Sequence, residues 1–156
     1  MSGTRRVISV LVENESSVLA RVSGLFAARG YNIETLTVAP LPDTNRSRIT
    51  IVTKGSERIL EQISKQLHKL IPIYKVVEHE EMVEKEMVLV KLPIEESLAD
   101  IQALCSAYNG GIANVGMDII IGMVADEPRR VKHFLEAIKR YNPIEIVRGG
   151  VVAIER

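Results

Sequence analysis

The chain has 156 residues, 46% of them apolar, which is room and material for one ordinary domain or two small ones. Its 20 Lys and Arg cancel its 20 Asp and Glu, which removes the electrostatic case for nucleic-acid binding and leaves little protection against self-association. No apolar run reaches the roughly eighteen residues of a membrane-spanning helix, and one cysteine, Cys105, cannot form an internal disulfide.

The first residues, MSGTRRV, lead into a strand with no apolar signal region, so a cytoplasmic location is expected. Arg6–Val12 is a Val/Ile-rich run of the kind buried on both faces of a sheet. A polar turn, Glu13-Asn14-Glu15-Ser16-Ser17, opens a helix that places Val18, Leu19, Val22, Leu25 and Phe26 on one face. Gly30 after Arg29 stops that helix. Asn32–Ala39 and Arg46–Lys54 are β-rich and are joined by a turn with two prolines, which predicts a hairpin. A second helix begins near Ser56, stacks Ile59, Leu60, Ile63, Leu67 and Leu70, and ends at Pro72. Ile73–Glu78 closes a βαββαβ series.

Glu78–Glu86 is charge-rich and reads as a linker or an exposed strand start. The series then repeats. Met87–Leu92 is a strand, and Ser97 with Asp100 resembles a capping box before Leu98, Ile101, Leu104, Cys105 and Tyr108. Asn109-Gly110-Gly111 stops that helix, and Ile112–Val115 and Ile119–Val124 are short strands. Glu127-Pro128 opens a helix carrying Val131, Phe134, Leu135 and Ile138, which Pro143 ends. Ile144–Arg148 is a strand, and Val151–Ile154 extends the sheet.

The predicted fold class is therefore α+β: two ferredoxin-like βαββαβ domains in tandem, 1–80 and 81–156. Helices cover one face of each sheet, and the other face needs cover too. Each half is small enough for its own core to be marginal, so pairing between chains is expected, at least as a homodimer.

The first backbone N–H groups of a helix lack intrahelical partners and carry partial positive charge, so the turn before the first helix suits a small carboxylate such as that of an amino acid. Asn14, Ser16 and Ser17 are also ordinary capping residues, and capping explains them better when they are taken alone. Asn32 could lie beside the same turn, or could take an unusual backbone angle after the helix stop. His68, His79 and His133 lack metal-ligand spacing and read as solvent-exposed, Cys105 reads as core, and Arg129-Arg130 reads as a solvent face. Gly110-Gly111 and Gly149-Gly150 have no phosphate-loop context. No catalytic constellation and no metal site is predicted.

The run ENES…L.RV.GLF..RGYNIE.LTVAP, the following SR.TI.T, the EQI.KQLHKL helix and the EKEM.LVK strand resemble the small, regulatory subunits of acetolactate synthase, also called acetohydroxyacid synthase. The resemblance is dense from Arg5 to Lys91 and looser from Pro93 to Arg156, where the element order and Ile144–Gly150 fit. It implies an N-terminal ACT domain that binds the effector and dimerises, and a C-terminal ferredoxin-like domain. It further implies a non-catalytic subunit that binds and activates the catalytic large subunit and confers feedback inhibition by L-valine in branched-chain amino acid biosynthesis. Thiamine diphosphate, magnesium and FAD then belong to the large subunit, with no cofactor in this chain. The effector of this family lies at the ACT dimer interface by the first turn, which by position points to Asn14, Ser17, Val18, Asn32 and Ile33. The family pattern has glycine where this chain has Ser17, and serine adds a side chain where a ligand approaches the backbone. A free-standing ACT-type amino-acid sensor, acting on another enzyme or on transcription, shares the turn but has no need of the second domain or the EKEMVLVK strand.

Overall fold

The structure is a computed structural model that describes residues 3–70, 73–78 and 82–156. The chain divides into two compact units, Met1–Val83 with Ala153–Arg156, and Glu84–Val152.

In the first unit, β1 (Thr4–Glu13), α1 (Ser16–Arg29), β2 (Asn32–Pro40), β3 (Arg46–Gly55), α2 (Glu57–Lys69) and β4 (Ile73–Glu78) follow in the predicted order. The strands form a four-stranded sheet in the order β2-β3-β1-β4. All neighbours are antiparallel, so β2 runs parallel to β1 and lies at the sheet edge. Alternation decides the two faces. Ile8, Val10 and Val12 with Ile49 and Ile51 turn toward the helices and pack on Val18, Val22, Phe26, Leu60, Ile63 and Leu67. Between them, Val7 pairs with Val52 and Ser9 with Thr50, pointing to the opposite face. Those four are also buried within a single chain. Leu19 and Ile59, placed on the apolar stripes by periodicity, lie at the stripe margins and are each 37% exposed.

Gly30 takes the left-handed conformation (φ 65°) that stops α1, and the Ser56 hydroxyl accepts from the Ile59 N–H at the start of α2. The expected helix stop at Pro72 lies outside the described residues.

The second unit holds β5 (Met82–Pro93), α3 (Leu98–Ala107), β6 (Gly111–Val115), β7 (Ile119–Asp126), α4 (Pro128–Ile138) and β8 (Glu145–Arg148), and β9 (Val152–Glu155) follows. The strand order is β6-β7-β5-β8, and β9 also pairs with β5. Val88, Val90, Leu92, Ile120 and Val124 pack against Ile101, Cys105, Val131, Phe134 and Ile138. Both units are thus ferredoxin-like sandwiches with helices on one side. Cys105 is buried in this core, and desolvation raises its pKa more than a backbone hydrogen bond with Met123 lowers it.

Local expectations are settled or changed in three places. β5 begins at Met82, so of the two readings of Glu78–Glu86, linker or strand start, the later part is strand. Its Glu86 is only 3% exposed and accepts from Arg148 Nε at 2.7 Å. And α4 ends at Ile138, before Pro143; a 3₁₀ turn, Lys139–Tyr141, and a left-handed Asn142 (φ 55°) finish it.

Candidate effector site

The turn between β1 and α1 is held from β3. The Asn14 N–H donates to the Asn45 carbonyl at 2.7 Å, and the Ser47 hydroxyl donates to Asn14 Oδ1 at 2.9 Å. The hairpin loop supplying Asn45 is ordered by Thr44, whose hydroxyl donates to the Leu41 carbonyl at 3.0 Å and accepts from the Arg46 N–H at 3.1 Å. Asn14 is exposed, whereas Ser47 is 5% exposed on the helix-facing side of β3.

None of the predicted capping residues caps α1. The N-cap position is Glu15, in extended conformation, and its side chain makes no capping hydrogen bond. Val18 is buried, and its N–H is spent on the Glu15 carbonyl at 3.2 Å. Among the described residues, the Ser16 and Ser17 N–H groups carry no hydrogen bond. Two unspent amides at the positive end of a fourteen-residue helix, beside the Asn14 amide, suit a small anion. The unspent donors of this turn are thus at Ser16 and Ser17, whereas the Val18 N–H is already bonded.

Asn32 and Ile33 lie elsewhere. The left-handed angle after the helix falls on Gly30, and Asn32 opens β2 opposite Lys54, its carbonyl accepting from the Thr53 hydroxyl. Ile33 is half-buried against the first core. The turn stands at the Asn45–Arg46 end of β3 and Asn32 at the Lys54 end. At about 3.3 Å per residue, roughly 30 Å of strand separates them. One chain therefore brings Asn14, Ser17 and Val18 together and leaves Asn32 and Ile33 at the opposite end of the sheet.

The edge strand between these ends is incomplete as a surface. Val38, paired with Ile49 and so on the helix-facing side, is 40% exposed. The Thr37 hydroxyl is buried with no hydrogen-bond partner among the described residues.

Sequence reasoning missed Ser47. Its signal was a polar residue in register with Ile49 and Ile51, on the core-facing side of β3. Arg130 is exposed, as expected of a solvent face, but sequence reasoning gave no sign of its contacts. Arg130 Nε bonds Asp126 at 2.6 Å, Nη2 bonds the Ala107 carbonyl at 2.6 Å, and the guanidinium lies 5.1 Å from the Tyr108 ring centre. His68 and His133 are exposed, and His79 lies outside the described residues. Among the described residues, no three His, Cys, Asp or Glu side chains group so as to hold a metal ion, and no helix is long and apolar enough to cross a membrane.

The comparisons with known proteins agree along the chain. Residues 8–75 match the family model described as an AHAS small subunit-like ACT domain, and residues 85–156 match that described as the small subunit of acetolactate synthase. The acetolactate synthase isozyme 3 small subunit of Escherichia coli (strain K12) is 43% identical over 156 residues, covering 97% of this chain and 96% of that protein. The probable acetolactate synthase small subunit of Archaeoglobus fulgidus is 40% identical over 154 residues, covering 97% of each. The crystal structure of the acetolactate synthase small subunit from Thermotoga maritima superposes with a TM-score of 0.88 at 33% identity, covering 98% of each chain.

Proposed function

Because this chain belongs to the acetolactate synthase small-subunit family, we propose that it is the regulatory subunit of that enzyme: it binds the catalytic large subunit, raises its activity and makes it sensitive to L-valine. It performs no bond chemistry itself and carries no cofactor; thiamine diphosphate, magnesium and FAD belong to the large subunit.

The observation that carries the effector reading is the uncapped start of α1, with the Ser16 and Ser17 amides unspent beside Asn14. The valine carboxylate sits there. Its ammonium and aliphatic groups meet Asn32 and Ile33, which come from a second chain. An edge strand pairing antiparallel with its own copy across a two-fold axis near the middle of β2 sets the Asn32 end of one chain beside the Pro40 end of the other. Pro40 is level with Ser47 and Val12, at the same end as the turn. The exposed Val38 and the orphaned Thr37 hydroxyl support β2 as the joining edge. The homodimer thus completes two effector sites that one chain only half builds.

The test is reconstitution. The purified chain alone is expected to leave pyruvate unchanged. Mixed with a large subunit, it is expected to co-purify, to raise acetolactate formation and to make it inhibitable by valine. Thiamine-dependent turnover by the chain alone would overturn the non-catalytic reading. Failure to associate, with valine still bound by the chain, would identify a free-standing amino-acid sensor instead.

A further inference from the structure

We infer that two chains join at β2 in one register, with Thr37 facing its own copy across the two-fold axis and Leu36 of each chain bonded to Val38 of the other. The inference rests on the joining of chains at β2 proposed above and fixes where along the strand it occurs.

Backbone alternation decides what the edge offers. In an antiparallel ladder, residues that bond across the pair alternate with residues whose N–H and C=O point away. The Leu41 N–H donates to the Arg46 carbonyl at 2.8 Å, so the bonds at that level cross between β2 and β3. Counting back along the register, Ala39, Thr37 and Thr35 bond toward β3, opposite Arg48, Thr50 and Val52. Pro40, Val38 and Leu36 therefore turn their backbone groups to the open side, because β2 ends the sheet order β2-β3-β1-β4. Pro40 has no N–H to give. At the other end the register shifts between Ile33 and Thr35, leaving Glu34 as the extra residue. Residues 35–39 between these two interruptions are regular and carry no charge, and Thr37 is their centre. Such a stretch lacks the charges, bulges and prolines that keep sheet edges apart.

The register follows from what each slip would cost. Leu36 and Val38 lie on the helix-facing side, level with Ile51 and Ile49. A slip of one residue would set them against residues of the opposite face. An axis through Val38 would pair Leu36 with the partner's Pro40, which lacks the donor. An axis through Leu36 would set Val38 against the irregular stretch at Glu34, whose carboxylate is paired with Lys54 at 3.3 Å. An axis through Thr37 avoids both. Leu36 and the partner's Val38 then exchange both backbone hydrogen bonds, and symmetry repeats the exchange. The exposed Val38 side chain meets the partner's Leu36, which already packs on its own core. Thr37 and its copy form the closely spaced pair between them, with Cα atoms about 4.5 Å apart.

Cysteine cross-linking reads the register, because a disulfide needs Cα atoms about 4.4–6.8 Å apart. The chain's own cysteine, Cys105, is buried, which leaves the background clear. Thr37→Cys is expected to oxidise to a covalent dimer, seen at twice the chain mass on a non-reducing gel. Leu36→Cys and Val38→Cys each stand roughly 8 Å from their own copies in this register. They are expected not to link alone, and to link to each other when the two variants are refolded together. Self-linking by Leu36→Cys or Val38→Cys, or no linking by Thr37→Cys in a sample that light scattering shows to be dimeric, would overturn the register and leave the joining at β2 standing. Amide hydrogen exchange of the unsubstituted chain reads the joining itself. The Leu36 and Val38 amides are expected to be protected in the dimer and to lose that protection on dilution to monomer, while the Thr37 amide, bonded to β3, keeps its own. Free exchange of the Leu36 and Val38 amides in the dimer, or a chain that stays monomeric at every concentration, would overturn the joining at β2 and the register with it.

Discussion

Arg130 of α4 and Asp126, the last residue of β7, form a 2.6 Å hydrogen-bonded ion pair that holds three elements of the second unit together. The same guanidinium bonds the Ala107 carbonyl at the end of α3, and the carboxylate also accepts the Glu127 N–H at 2.8 Å. Burial by itself would raise the Asp126 pKa. The Arg130 hydrogen bond, the Glu127 amide and the nearby Arg130 and Lys85 charges outweigh it and hold the pKa below the ordinary aspartate value. A carboxylate with a depressed folded pKa stabilises fully above its unfolded pKa, about 3.9, and loses that contribution as pH falls through the folded value. Asp126→Asn is therefore expected to lower the melting temperature at pH 7 by several degrees and to flatten the acid limb of a stability profile below about pH 4. Acid limbs that run parallel in both proteins would refute the assignment.

The proposed joining of two chains at β2 predicts how such a dimer breaks. Val38 is 40% exposed in one chain, so a charge there leaves the protomer's own core untouched. At a joined edge the same charge is buried without a partner. Val38→Asp is expected to raise the dimer dissociation constant at least about tenfold, as truncation or disruption of an interface anchor does. Light scattering across a concentration series reads this directly. An unchanged dimer would place the joining surface elsewhere.

The proposed sharing of the effector site between chains predicts complementation. Asn14→Ala and Asn32→Ala homodimers each have both sites damaged. Mixed dimers of the two contain one site with both changes and one with neither. Unfolding and refolding the two variants together, then reconstituting with the large subunit, is expected to restore valine inhibition to the fraction carrying mixed dimers. If Asn14 and Asn32 served one site within a chain, mixing would restore nothing.

Ser17 stands where the family pattern has glycine, in the first turn of α1 and exposed. Its Cβ and hydroxyl occupy space at two unspent amides, where the carboxylate of the proposed effector would come close. A solvent-exposed serine bond returns only about 0.5–1.5 kcal/mol. Ser17→Gly costs the helix about 1 kcal/mol at most. The expected outcome is a valine inhibition constant several-fold lower in the reconstituted enzyme, each variant read against its own uninhibited rate. A constant equal to or above that of the parent would show the hydroxyl accommodated or used.

Much of the fold was readable because its signals are short-range. The continuous apolar run in Arg6–Val12, the stripe Val18, Val22, Phe26, the stop at Gly30 and the cap at Ser56 each depend on neighbours within a turn or two. Proline was the weaker guide: Pro143 marked the end of α4 five residues late, because a 3₁₀ turn and Asn142 had already ended it. The site was half readable. The polar turn announced itself, but the separation of Asn32 from it follows from topology. A helix returning from the far end of β1 delivers the chain back to the near end, where a parallel β2 must start.

The order and type of the elements, the two repeated units and the polar turn came from local periodicity and turn chemistry, which act through backbone geometry shared by any chain of that pattern. Register across the sheet decided the rest. It set Ser47 under Asn14 and buried Glu86 against Arg148. It also left β2 as an edge, with Asn32 at its far end. Those contacts join residues as many as 62 positions apart, and no short-range preference specifies which strand a residue will face. The choice is made when the whole sheet buries one apolar set at once, and a slip of one residue would turn every one of these side chains to the other face.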